Sequence, residues 1–442
     1  MLSILAGTAA AQTQSAPLAY PQATRGTQID VYHGDSVPDP YRWLEDVDAP
    51  ATKAWVDAQN RLTDSFLATI PERAAIKDKL TRLWNYARYG APFKEGGRYF
   101  YFENTGLQNQ SVLYVQDGRD APARVLLDPN TLSPDGTVAL SVARASDDGH
   151  YLGYSLSRSG SDWQELHVRD VNDGRDLPDI LKWVKFSDIS WTHDNRGFFY
   201  SRYDEPTSGN VMTNANRNQK VYYHKVGQPQ SRDQLVYDRP DQPDWLFDTR
   251  VSDDGQFLII TVSQGTDVRT RLYFIDLDNP GKPKVDNPVV RLIDRADAEY
   301  AFVGNRGTIF YVRTDRNAPR GRIVAVSIDN PREERWNTIV PETKDALESA
   351  TMAGDDIVGN YLEDAHSSVR FFTASRNPQR DEAERRRRED DRRRNPGSVY
   401  DDTSTAPIIT RGGLMMGGGF TQRGELPLPG IGTVTALSGK QG

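Results

Sequence analysis

Six histidines, the Gly-x-Ser string at Gly153 and two Asp-Asp-Gly turns are the places where this chain could do chemistry. A serine hydrolase needs a Ser lifted on a strand-to-helix elbow, commonly G-x-S-x-G, with a His to take its proton and an Asp to orient the imidazole. The nearest string is GYSLS, Gly153 to Ser157, which lacks the closing glycine and lies in an alternating run that reads as a strand. His33, His150 and His366 stand in turn-like contexts, and His167, His193 and His224 on or beside strand-like runs. None is spaced to meet a nucleophile or a second metal ligand, so surface or hydrogen-bonded structural roles are expected. No H-E-x-x-H pattern occurs, and Asp147-Asp148-Gly149 and Asp253-Asp254-Gly255 lack the ligand ladder of a Ca²⁺ loop. The chain has no cysteine, which excludes disulfides, thiolate nucleophiles and Cys-based metal sites. The sets of catalytic, cofactor-binding and metal-binding residues expected from the sequence are all empty.

The elements that would hold such residues are written more clearly. A turn of Asp, Asn and Gly returns about every 50 residues: EGGR at Glu95, SDDG at Ser146, HDNRG at His193, SDDG at Ser252, GNRG at Gly304 and AGDD at Ala353. Each opens an aromatic-rich run such as RYFYFE, QFLIITVS or TIFYVRT, and second strands such as ELHVRDV, KVYYHKV and RIVAVSI follow. Repeats of this length with about four strands are the signature of a β-propeller, whose blades bury their faces only by stacking on neighbours. The repeats lack the regular G-H and W-D marks of the WD type. Between Asp48 and Tyr86 the period changes to that of a helix. Asp48 is placed to cap a first helix with Trp55, Ala58, Leu62 and Phe66 on one face, and a second, starting at Pro71, sets Ile76, Leu80, Leu83 and Trp84 on one stripe. The net charge of −8 gives no basic surface for nucleic acid, and no run approaches a membrane span.

DPYRWLED at Asp39, SGSDWQELHVRDV at Ser159, LPDILKWVKFSDISWTHDNRGFFYSRY at Leu177, VSDDGQFLIITVSQGTD at Val251 and LPGIGTVTALSGKQG at the end occur in an order that resembles the prolyl oligopeptidase family. The resemblance covers Tyr20 to Phe372 and Arg423 to Gly442. It implies serine endopeptidases that cleave short peptides after proline, built from an amino-terminal helical extension, a seven-bladed propeller and a carboxy-terminal α/β-hydrolase domain carrying the Ser, Asp and His. No catalytic residue of the family falls on a position of this sequence, so the α/β-hydrolase domain is expected to be absent and the chain inactive alone. By the same resemblance, the propeller would admit only short peptides and the helices would pack on the hydrolase. A non-catalytic propeller binding module is the alternative.

The expected fold is mainly β: a remnant signal or disordered start at 1–19, a helical extension at 20–85, and a propeller of six blades with the first strand of a seventh at 86–442. A ring lacking most of that blade would expose strand edges and aggregate. A low-complexity insertion at 374–419 interrupts the sixth blade; its run DEAERRRREDDRRR mixes both charges and has no large apolar side chain. A natural surface insertion, a fault in the assembled sequence and an anionic partner all remain open for it. The opening MLSILAGTAAAQ resembles the end of a secretory signal, which points to the periplasm or secretion, with a cytoplasmic location as the alternative.

Overall fold

The computed structural model describes residues 18–47, 49–206, 215–374 and 420–426, with 428, 433, 434 and 437. The expected cap Asp48, the signal-like opening and the Arg-rich run lie outside the described residues. Two compact units emerge, one comprising mainly the described residues up to Tyr86 and the other beginning at Ala87.

In the first unit a hairpin, Ile29–Tyr32 with Asp35–Pro38, precedes two helices, α1 (Pro50–Ala68) and α2 (Arg73–Trp84). Pro50 occupies the first turn of α1, where a missing N–H costs nothing. The residue at the cap is Ala49, whose own N–H is held by Asp46 Oδ1 at 3.1 Å. The second helix starts at Arg73 rather than Pro71: the Arg73 N–H bonds the Ile70 carbonyl at 3.2 Å, so Pro71 and Glu72 complete a turn before the helix begins. Trp55, Ala58 and Leu62 are half-buried, but Phe66 and the whole stripe Ile76, Leu80, Leu83 and Trp84 are exposed.

In the second unit the described strands form six antiparallel sheets in sequence order. They span 88–127, 138–184, 190–237, 245–293, 300–340 and 346–425 and are here called blades one to six. Five blades have four strands ordered as in the sequence, and the first gains a short extra strand, Phe93–Glu95. The repeated turn joins the first and second strands of its blade. Its positive φ falls on Gly149, Gly255, Gly307 and Gly354, and in the third blade on Asn195. Alternate side chains of each strand point to opposite neighbours, so an apolar cluster forms at every seam. Phe100, Leu113 and Val115 of the first blade meet Leu152 and Tyr154 of the second, and Phe257 and Phe274 of the fourth meet Phe302 and Phe310 of the fifth. In the sixth blade, His366–Ala374 pairs with Phe420–Glu425, so Ala374 and Phe420, which flank 375–419 in sequence, are cross-strand neighbours. Of the expected first strand of a seventh blade only isolated positions are described; Val434 donates its N–H to Ser367 Oγ and accepts from Asn360 Nδ2.

Candidate functional site

GYSLS lies inside the second strand of the second blade, Tyr151–Arg158. Ser155 is fully buried and its Oγ accepts the N–H of Val142 at 3.0 Å, so no hydroxyl is presented to a substrate. Gly153 is there for packing: a Cβ would stand 3.1 Å from Ile189 and 3.3 Å from the Trp191 ring of the next blade.

The histidines divide by position. His33 occupies a hairpin turn at φ 53°, and His366 opens a strand, its Nδ1 3.4 Å from the Asp364 carbonyl. His150 contacts Asn172 at 2.8 Å, and His167 stacks on Tyr154, where burial holds its pKa down. His193 sits in the third blade's turn with Nε2 3.0 Å from Asp147 of the second blade, and its ring lies against Gly255 of the fourth.

This belongs to a series of ties that runs from blade to blade through the repeated turns. The Asp148 N–H donates to Asn195 Oδ1, Asn305 Nδ2 donates to Asp254 Oδ2 at 2.7 Å, and Arg306 Nη2 donates to the Asp355 carbonyl at 2.6 Å. In the first blade, Gly96 packs so closely on the Asp148 carbonyl that any side chain would collide with it. Each Asp-Asp-Gly turn is thus a structural tie, which accounts for its acids without a metal. Among the described residues no group of three His, Asp or Glu could hold a metal ion.

His224 is the exception in chemistry. It is fully buried, with Nδ1 2.7 Å from Asp233 Oδ1 and Nε2 2.8 Å from Asp179 Oδ1. Tyr200 donates its hydroxyl to Asp233 Oδ2 at 2.6 Å, and the Gly227 N–H donates to Asp179 Oδ1 at 2.6 Å. An Asp–His pair evokes a catalytic triad, but a general base needs a ring nitrogen with a free lone pair facing a nucleophile. Both nitrogens here face carboxylates, so neither is turned towards a nucleophile. The sequence showed a histidine on a strand; it did not show that one carboxylate comes from the neighbouring blade, 45 residues away. That offset is one repeat, and it was the only available clue.

Charged side chains gather on the first strands of blades two and four and the segment entering blade three. First strands of consecutive blades lie beside one another, as in blades two, three and four. Arg144 pairs with Asp188 at 2.6 Å, and Arg250 pairs with Asp253 at 3.3 Å. Between them Asp248 is reached by water yet crowded by protein on the scale over which charge is screened. Desolvation, then the like charge of Asp188, pushes its carboxyl up to about 6.

A family model described as the prolyl oligopeptidase N-terminal β-propeller domain matches residues 21–441. The chain belongs to the prolyl oligopeptidase family. It is similar to a prolyl endopeptidase of Elizabethkingia meningoseptica, 38% identical over 353 residues, covering 80% of this chain and 49% of the relative. Prolyl oligopeptidase A of Amanita bisporigera is 35% identical, with 75% and 47% covered. Among solved structures, one from a structural and mechanistic study of two prolyl endopeptidases aligns with a TM-score of 0.64 at 36% identity, covering 96% of this chain and 54% of that one. Prolyl oligopeptidase B of Galerina marginata, bound to a 35-residue hydrolysis and macrocyclization substrate, aligns at 0.69 with 29% identity, covering 82% and 53%. The chain thus spans about half the length of the prolyl oligopeptidase relatives it matches, and the matched half is the propeller.

Proposed function

We propose that this chain is the substrate-admitting portion of a serine endopeptidase that cleaves short peptides after proline, and that the cleaving groups reside on an α/β-hydrolase domain outside the sequence. The observation that carries this reading is the match of the propeller family over 21–441 together with coverage of about half of each relative. The described residues support a gating role. The one string resembling a nucleophile elbow is a buried strand, the histidine that most resembles a base has both nitrogens occupied, and the open charges line first strands. The exposed stripe Ile76, Leu80, Leu83 and Trp84 supplies an apolar surface for the hydrolase domain to cover. A periplasmic or secreted location is proposed with it, on the signal-like opening residues.

The test is to assay the purified 442-residue chain against a chromogenic proline peptide and to read the genomic DNA past the codon for Gly442. No turnover is expected, together with an in-frame G-x-S-x-G followed by Asp and His. Turnover blocked by a serine-directed inhibitor would overturn the assignment of chemistry to another domain, and a stop codon would favour a binding module.

A further inference from the structure

Between the second and third blades three ionisable side chains are buried together. Asp179 comes from the outer strand of the second blade, Asp176–Val184; His224 from the third strand of the third blade, Lys220–Lys225; and Asp233 from the short connection leading to that blade's outer strand. The side chains of Asp179 and His224 have no exposed surface, and that of Asp233 has 1%. We propose that His224 is a protonated pin that clamps the second blade to the third and releases that seam under alkaline conditions.

The proton count follows from the hydrogen bonds. Each ring nitrogen has a carboxylate oxygen within 2.8 Å. Both carboxylates also accept from elsewhere, Asp233 from the Tyr200 hydroxyl and Asp179 from the Gly227 N–H. A neutral imidazole would turn a lone pair towards one of these acceptors, and a buried acceptor facing an acceptor is costly. An imidazolium donates to both. Burial by itself would drive this proton off; the hydrogen bonds to Asp179 and then Asp233 more than reverse that and raise the pKa to about 9.

Among the described residues no Lys or Arg is paired with Asp179 or Asp233 in place of the imidazole. The Phe198 ring lies 5.3 Å from the imidazole, and the Tyr200 hydroxyl that donates to Asp233 itself accepts from Gln230 Nε2 at 3.3 Å. Arg202, a cation whose field reaches Tyr200, is stacked on Tyr222 at 4.0 Å, and Tyr151 lies in the field of Asp179. Loss of the proton would leave two buried carboxylates facing one another across a neutral ring. The seam would then depend on its apolar cluster, Leu166, Val168, Leu181 and Val184 against Ile189, Trp191, Phe198 and Tyr200.

The linkage has a definite sign. An unfolded histidine titrates near 6.5, so the folded protein holds an extra proton between there and about 9. The stabilisation is complete below 6.5 and is lost as the pH rises through the folded value.

Asp179→Asn separates the pin from simple packing. The amide oxygen still accepts from His224 and Gly227, and the other carboxylate oxygen, Oδ2, has no hydrogen-bond partner to lose. The ring proton signals of the full chain, selectively labelled at histidine, are followed by NMR from pH 5.5 to 10.5, with the His224 signal assigned by its absence in His224→Gln. Thermal unfolding is recorded over the same range. The expected result is a midpoint near 9 in the unmodified chain and at least one unit lower in Asp179→Asn, with the alkaline fall in Tm moving by the same amount. A midpoint near 6.5, or one unchanged in Asp179→Asn, would overturn the proposal. If His224→Gln does not fold, the signal displaced in Asp179→Asn serves as the assignment, and an alkaline fall in Tm that does not move in that variant overturns the proposal.

Discussion

At the scale of single residues, two glycines show how tightly neighbouring chains are set. A Cβ on Gly197 would fall 2.2 Å from the His224 carbonyl oxygen and 2.6 Å from the Tyr223 ring, so backbone must move; at Gly153 the nearest atoms are flexible Ile189 methyls at 3.1 and 3.2 Å. Overpacking costs about 1–3 kcal/mol. Gly153→Ala is expected at the bottom of that range and Gly197→Ala at the top or beyond, measured by denaturant unfolding; the reverse order would contradict this account. Neither requirement is visible in the sequence, because a strand glycine reads the same whether its neighbour is a side chain or a backbone. The same limit hid the partners of His224. Residue type gave a histidine on a strand, whereas its charge state depends on Asp179 and Asp233, brought in by register and by the stacking of one blade on the next.

At the scale of elements, the strands and turns were legible because a period of two and a positive-φ residue are local properties. Tyr151–Arg158, Phe257–Gln264 and Asp356–Glu363 lie where the runs after SDDG and AGDD put them. The helices were legible in type and less so in their ends, since α2 begins where the Ile70 carbonyl is met rather than where proline first permits a helix. What the pattern could not say is whether an apolar stripe is covered. In α2 it is not, and Leu80 keeps 57% of its surface exposed. Leu80→Ser should therefore change the unfolding free energy of this chain by less than about 0.5 kcal/mol, the range for surface substitutions. A loss of 2 kcal/mol or more in a denaturant melt would mean that the stripe is buried in solution.

At the scale of the whole molecule, blade number and order followed from the repeat, while the open surfaces did not. Strand edges were expected to be the exposed feature, yet the first blade also presents an aromatic face. Phe100, Leu113 and Val115 turn to the second blade, which leaves Tyr101 and Tyr114, stacked at 5.5 Å, and the exposed Tyr89 on the other side. Such a face favours association. Sedimentation at micromolar concentration should show oligomers that Tyr101→Ser with Tyr114→Ser reduces; a monomer in both would rule this face out. The ties between repeated turns have a different consequence, for how the array assembles. The hydrogen bonds from Asp148 to Asn195, Asn305 to Asp254 and Arg306 to Asp355 span 47, 51 and 49 residues. Because the entropy of closing a loop changes only with the logarithm of its length, these links start from nearly equal odds. Structure could then nucleate at any seam and spread in both directions, with no blade obliged to come first.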